Sequence, residues 1–255
     1  MVMVFQFSMS SIFQNAFRLS HKTFPEGGTC LEFGVHVGNS FVWQAEQVKK
    51  HFKNSTLIGF DSWEGLPEEQ QGVWSPSRHA PGEYKSTKDI VLGRLRRIGM
   101  RDDARIRLVD GFFSDSLVPE LQKEIKDLIF VNIDVDIYKS TIELLNFIKP
   151  LLRPGVVLYW DDWKDPKDQF VGGKWGEHLA WEEWSAKNKD VEAETIEVNP
   201  VNQRYMVVTK VGDKDLASAA LSMKKIRYDA FELEQPGPAF LKKVVGLIKR
   251  NILKR

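Results

Sequence analysis

The sequence predicts an α/β fold: a doubly wound, mainly parallel seven-stranded sheet with helices on both faces and an antiparallel closing strand. Three observations carry the prediction. Short apolar runs alternate with helix-length segments from residue 29 to residue 160. Runs such as Leu128-Ile129-Phe130-Val131 are apolar without alternation, as in strands covered on both faces. After Trp160 the order changes to a polar stretch, one helix and two strands joined through Asn199-Pro200, which suits an antiparallel closure.

Taken in order, Thr29–Phe33 reads as the first strand, and its glycine-rich exit leads into a helix over Ser40–Phe52. Thr56–Phe60 is the second strand. The long, strand-poor segment Ser62–Thr87 follows, holding Trp63, Trp74, His79 and Tyr84. Structureless stretches of that length in a compact domain are usually lids or binding loops. A helix over Lys88–Ile98, a strand over Ala104–Val109 and a helix over Asp115–Ile125 come next. Leu128–Ile133 is the fourth strand and Ser140–Leu152 its crossover helix. Pro154-Gly155 is the turn into the strand Gly155–Trp160. Trp175–Asn188 reads as a helix, with Gly172-Gly173 as a hinge before it, and Val191–Val198 and Arg204–Lys210 as the closing pair. Residues 1–28 are then an N-terminal helical segment, 29–210 the sheet domain and 211–255 a C-terminal extension.

Composition excludes several classes. Hydrophobic residues at 42% and charged residues at 28% exclude low-complexity disorder for the bulk of the chain. The net charge of +1 offers no basic field for nucleic acid. One cysteine, Cys30, excludes an intrachain disulfide and a zinc–thiolate site and points to a reducing compartment. The first residues lack the charged start of a signal peptide, and no apolar stretch is long enough to span a bilayer. The reading is a soluble, cytoplasmic protein that forms a homo-oligomer. Eight Trp and 16 Phe are many for this length, so some should line a cleft. The charge is uneven: residues 240–255 hold six basic residues and no acid, leaving a net of −5 on residues 1–239. Phe240, Leu241, Val244, Val245, Leu247, Ile248 and Ile252 share one side of a helix there. Docking on the chain's own domain or on a dimer mate is the favoured reading; peripheral contact with an anionic membrane is the other.

Three motifs carry chemistry. Cys30-Leu-Glu32-Phe-Gly34-Val-His36-Val-Gly38-Asn-Ser40 is a strand, a glycine turn and a helix start. Glycines let a ligand approach the backbone, and the helix start offers free N–H groups. The spacing is G-x-x-x-G rather than the dinucleotide G-x-G-x-x-G. Glu32 would repel phosphate and suits a cofactor carrying an ammonium group. Asp61 ends the second strand, where an acid typically takes ribose hydroxyls. Asp110, after the third strand, is a weaker candidate near an adenine. The third motif pairs Asp134-Val135-Asp136 at one strand end with Asp161-Asp162 at the next. Adjacent parallel strands bring these carboxylates to one edge, where they repel. A hard divalent cation removes that cost, Mg²⁺ before Ca²⁺ or Mn²⁺.

Together these residues resemble the macrocin O-methyltransferase family, class I S-adenosylmethionine-dependent enzymes that methylate sugar hydroxyls on macrolides such as mycinamicin, and on novobiocin. The resemblance spans roughly Thr29 to Lys210. It rests on Glu32-x-Gly34-x-x-x-Gly38-x-Ser40, on the block Phe60-Asp61-Ser62-Trp63-Glu64-Gly65-Leu66-Pro67, and on Gly111-x-Phe113 with Ser116-Leu117. Asp134-x-Asp136-x-Tyr138-x-Ser140-Thr141, Asp161-Asp162-Trp163, and Gly176-Glu177 with Ala180 and Glu183 complete it. It implies the class I, Rossmann-like methyltransferase fold. It also implies S-adenosylmethionine held by Glu32, Gly34, Gly38, Ser40, Asp61 and Asp110. Mg²⁺ would be held by Asp134, Asp161 and Asp162, with Asp136 as general base. His79 and His178 are alternative bases by side-chain type. The implied acceptor is a small molecule or glycan. Asp165–Lys174 and the basic tail depart from the family pattern, so a polyketide sugar, a polysaccharide and a glycolipid all remain open. A metal-dependent glycosyltransferase using a nucleotide sugar also fits Asp134-x-Asp136 but leaves Asp161-Asp162 unexplained. A non-catalytic binding module would not need all four carboxylates.

Overall fold

The computed structural model describes residues 9–71, 79–163 and 175–216. The basic tail, Trp74 and Gly172-Gly173 lie outside the described residues. Seven strands form one sheet in the order β3-β2-β1-β4-β5-β7-β6. They are β1 (Thr29–Phe33), β2 (Thr56–Asp61), β3 (Ile106–Asp110), β4 (Leu128–Ile133), β5 (Val157–Trp160), β6 (Val191–Val198) and β7 (Arg204–Val211). A two-residue strand, β8 (Lys214–Asp215), pairs with β7 and adds an eighth strand to the seven expected. Pairs among β1 to β5 are parallel; β7 runs antiparallel to β5 and to β6. The strand order reverses between β1 and β4, which opens a crevice at the carboxyl ends of the strands.

Burial explains the unbroken apolar runs. Every residue of β1, β4 and β5 is buried. One face carries α1 (Ser11–Thr23), α2 (Asn39–Lys50) and α3 (Lys88–Arg97), whose apolar residues share a core with Cys30, Phe130 and Tyr159. The other carries α5 (Pro119–Glu124), α6 (Tyr138–Ile148) and α7 (Gly176–Lys187), with the single turn α4 (Phe113–Ser116) packed beside them. Helix α1 starts at Ser10, whose hydroxyl accepts the Phe13 N–H at 3.4 Å, as a helix-capping serine does. It lays Phe13 edge-on against Phe130 and Tyr159, with ring centroids 5.9 and 4.8 Å apart.

Of the boundaries that differ from expectation, two have plain local reasons. The single helix expected over Asp115–Ile125 is two short ones, α4 and α5. The break falls at Leu117-Val118, before Pro119, because a residue preceding proline is pushed out of the helical region. Helix α6 closes on a 3₁₀ turn over Lys149–Leu151 instead of continuing as α-helix through Leu152. Among the described residues, no helix is long and apolar enough to cross a membrane.

Candidate active site

The crevice at the switch point holds a cavity of about 300 Å³. The glycine turn and Asp61 line it on one side, and Asp134, Asp136, Asp161 and Asp162 on the other. Its aromatic lining is Phe60, Tyr84, Phe112 and Phe113. The described tryptophans do not line it; Trp160, Trp163, Trp175, Trp181 and Trp184 are core residues. The excess of aromatics thus serves the cleft through Phe and Tyr.

The turn after β1 is built on positive φ: Gly34 at +85°, His36 at +51° and Gly38 at +78°. At Gly34 the reason is contact as well as conformation. A Cβ there would lie 1.8 Å from the Asp134 carbonyl oxygen. The cofactor-type turn and the acidic motif are therefore in direct backbone contact, which only glycine allows. Arg94 of α3 donates from Nη1 to the Val37 carbonyl and to Asn39 Oδ1, both at 2.7 Å, and so braces the turn from behind.

Asp61 ends β2, as the strand pattern predicts. Its Oδ2 accepts the His36 N–H and its Oδ1 the Trp63 N–H, both at 2.7 Å. Each oxygen keeps a second lone pair for a ligand hydroxyl. Asp110 pairs with Asp61 in the β2–β3 ladder. It accepts the Trp63 indole N–H and the Lys88 ammonium, each at 2.8 Å, and does not line the cavity.

Glu32, Gly38 and Ser40 also stand behind the cavity wall. Glu32 is completely buried on the α2 face of β1. Ser40 Oγ donates to it at 2.7 Å and Gln44 Nε2 donates to its other oxygen. It locks the start of α2 to β1 and supports the turn from beneath. Burial pushes its carboxyl from 4.5 up to about 8, against hydrogen bonds from Ser40, Asn132 and Gln44 that favour the charged form. Folded protein therefore binds one more proton here than unfolded chain between those two pH values, and stability falls as pH rises through that window. Glu32→Gln should remove this slope: its melting temperature relative to wild type should rise between about pH 4.5 and about pH 8. Melting curves of ligand-free protein across that range test it, and a constant offset would refute it.

The acidic motif assembles as its spacing requires. Asp134, Asp161 and Asp162 bring one oxygen each within 4.8 Å of one another. All three are partly exposed to the cavity. Burial, then the charges of Asp161, Asp162, Asp136 and Glu177, hold the Asp134 carboxyl well above the ordinary range. Asp161 is aimed by two donors on one oxygen: the Tyr159 hydroxyl at 3.0 Å and Gln203 Nε2 at 2.6 Å. The donor set is all oxygen, three carboxylates on adjacent strand ends, and fits a hard divalent ion.

Asp136 lines the same cavity with its backbone at φ +59°. His79 Nε2 lies 3.1 Å from Asp136 Oδ1, and His79 Nδ1 lies 3.4 Å from Glu83 Oε2. His79 is thus a neighbour of the acid, while its ring is shielded from solvent. His178 instead stacks on Trp163 at 4.5 Å and pairs with Glu182 at 3.3 Å, away from the cavity lining. Sequence reasoning missed Gln203 altogether. It lies on the β6–β7 hairpin, 42 residues from the carboxylate it touches, and nothing local marks it. Glu69 is a second such residue. Its two oxygens accept the Tyr138 and Lys139 N–H groups at 2.8 and 2.9 Å, so a loop residue caps α6 directly after the acidic motif.

The family model described as "Methyltransferase domain" matches residues 31–163, just over half of the chain. A tetracenomycin rhamnosyl 4'-O-methyltransferase of Streptomyces olivaceus is 28% identical over 142 residues. That match spans 53% of this chain and 53% of the relative, about half of the relative's length. The O-methyltransferase NovP superposes with a TM-score of 0.62 at 20% identity, covering 78% of this chain and 79% of that one. CalS11, a calicheamicin methyltransferase, superposes at 0.57 and 19% identity, covering 76% and 77%. At these identities the two structures speak for the fold, which is the one the sequence resemblance implied. The matched segment begins in β1, runs through the glycine turn, Asp61 and Asp134, and ends just past Asp162: the chain belongs to the methyltransferase-domain family.

Proposed function

We propose that this protein is an S-adenosylmethionine-dependent O-methyltransferase that acts with Mg²⁺ on a hydroxyl of a sugar, most naturally one attached to a natural product. The observation that carries the reading is the single cavity shared by the glycine turn with Asp61 and by the four aspartates. The tetracenomycin relative, named for a rhamnosyl substrate, supports a sugar acceptor. S-adenosylmethionine supplies an electrophilic methyl group, and Mg²⁺ supplies positive charge that lowers the pKa of a nearby hydroxyl.

Every other role falls to this chain. Gly34 brings the turn's backbone to the cofactor, Gly38 closes the turn behind it, and Asp61 takes the ribose hydroxyls. Glu32 and Ser40 hold that turn from behind, and Asp110 fixes the Trp63 indole beside it. Asp134, Asp161 and Asp162 hold the cation. Asp136 accepts the acceptor's hydroxyl proton as the oxygen takes the methyl carbon and the carbon–sulfur bond breaks; S-adenosylhomocysteine leaves. Phe60, Phe112 and Phe113 give the cavity an apolar wall that limits water.

The test begins with calorimetric titration of S-adenosylmethionine with Mg²⁺ and with chelator. Methyl transfer to rhamnosides is measured next. Saturable cofactor binding in both conditions, with turnover only when Mg²⁺ is present, is the expected result. The double variant Asp134→Ala, Asp161→Asn should lose turnover and keep cofactor binding. Full activity in that variant would remove the cation from the mechanism, and absence of S-adenosylmethionine binding would sink the whole reading.

A further inference from the structure

We infer that Glu177 is the positioning residue of the acidic site: its buried carboxylate ties the two strand exits carrying Asp134, Asp136 and Asp162 into one geometry. The inference rests on the proposed reading of that site as a divalent-cation centre. Glu177 is the second residue of α7 and is fully buried. Its Oε1 accepts the Val135 N–H and its Oε2 the Asp162 N–H, both at 3.2 Å. Val135 lies between two of the site's aspartates, and Asp162 is a third.

The placement has a physical cause. Strands β4 and β5 end at Ile133 and Trp160, so the sheet ladder does not extend to the Val135 and Asp162 amides. Buried N–H groups need acceptors. A single carboxylate satisfies both at once and fixes the distance between the two exits. It does so without being a ligand: the three oxygens that converge come from Asp134, Asp161 and Asp162. An apolar side chain would remove a like charge from the cluster but would strand both amides. Helix α7 is itself registered on the motif. A Cβ at Gly176 would lie 2.3 Å from the Asp136 carbonyl oxygen, so the helix start is seated against the same loop.

The test uses the full chain as wild type, Glu177→Gln and Glu177→Ala. Mg²⁺ alone and S-adenosylmethionine alone are titrated by calorimetry, and bound Mn²⁺ is followed by electron paramagnetic resonance. Gln keeps one acceptor and turns an N–H donor toward the other amide. Groups that orient metal ligands are worth about 10–100-fold in metal affinity, so Glu177→Gln should weaken Mg²⁺ by about that factor. Its Mn²⁺ spectrum should broaden as the ligands lose a common geometry, and its S-adenosylmethionine affinity should stay at the wild-type value. Glu177→Ala should lose at least as much; if it does not fold, Glu177→Gln decides alone. Wild-type Mg²⁺ affinity in Glu177→Gln overturns the inference and leaves the cation centre standing. Parallel loss of Mg²⁺ and cofactor binding also overturns it, since that is general loosening. A wild-type chain that binds no Mg²⁺ overturns the cation centre and the inference with it.

Discussion

Gly34→Ala is expected to damage stability and both halves of the site together. Two costs add. The residue sits at φ +85°, a region that costs an L-residue about 1–2 kcal/mol. Its Cβ would also lie 1.8 Å from the Asp134 carbonyl oxygen, a backbone atom that cannot rotate away. Relief requires β1 and β4 to part at their carboxyl ends, and forced expansions of packed interiors cost about 1–3 kcal/mol. The sum is roughly 2–5 kcal/mol, which for a chain of this size lowers the melting temperature by roughly 5–20 °C. Cofactor and Mg²⁺ affinity should fall in the same variant, because the displaced carbonyl belongs to the residue that carries the central carboxylate. Gly93→Ala is the control. It lies within α3, where an added methyl would meet nothing within 4 Å, and should gain up to about 1 kcal/mol from helix propensity. Equal melting temperatures for the two variants would mean that the contact between turn and acidic motif does not matter.

That contact marks the boundary between what could and could not be read from the residues alone. The strands β1 and β4 lie where their apolar runs place them, because burial on both faces leaves a signal in every residue. The four aspartates are legible for a similar reason: adjacent parallel strands share an edge, so strand order alone brings Asp134 and Asp136 beside Asp161 and Asp162. What could not be read depended on the third dimension. Glu32 reads locally as a cofactor ligand, yet a period of two places it on the α2 face with Cys30, where Ser40 and Gln44 close over it. Helix α6 starts at Tyr138, ahead of Ser140, because Glu69 reaches its first amides from a distant loop. Gln203 and His79 come to the site across the sheet and from the long loop. Side chains delivered by tertiary contact leave no period and no spacing to count.

Asp136→Asn should separate proton transfer from binding more cleanly than any other substitution in the cavity. The backbone at Asp136 is left-handed, φ +59°, which Asn adopts about as readily as Asp. The change therefore keeps the loop, the shape and the seat of the Gly176 helix start, and removes one negative charge and the proton-accepting oxygen. Alanine would add backbone strain and blur the result. General-base catalysis by a positioned side chain contributes about 10²–10⁴-fold, so turnover of a rhamnoside acceptor should fall by about that factor. S-adenosylmethionine affinity should be unchanged, because Asp61 and the glycine turn hold the cofactor in the proposed scheme. Mg²⁺ affinity should change far less than in Asp134→Asn, since the oxygens that converge belong to Asp134, Asp161 and Asp162. The neighbouring imidazole supplies the decisive comparison. If His79, at 3.1 Å from Asp136, were the base and Asp136 only its orienting partner, His79→Gln would be the more damaging change. With Asp136 as the base, His79→Gln costs less than Asp136→Asn at every pH. Single-turnover rates for the two variants decide it: the order of their losses assigns the proton.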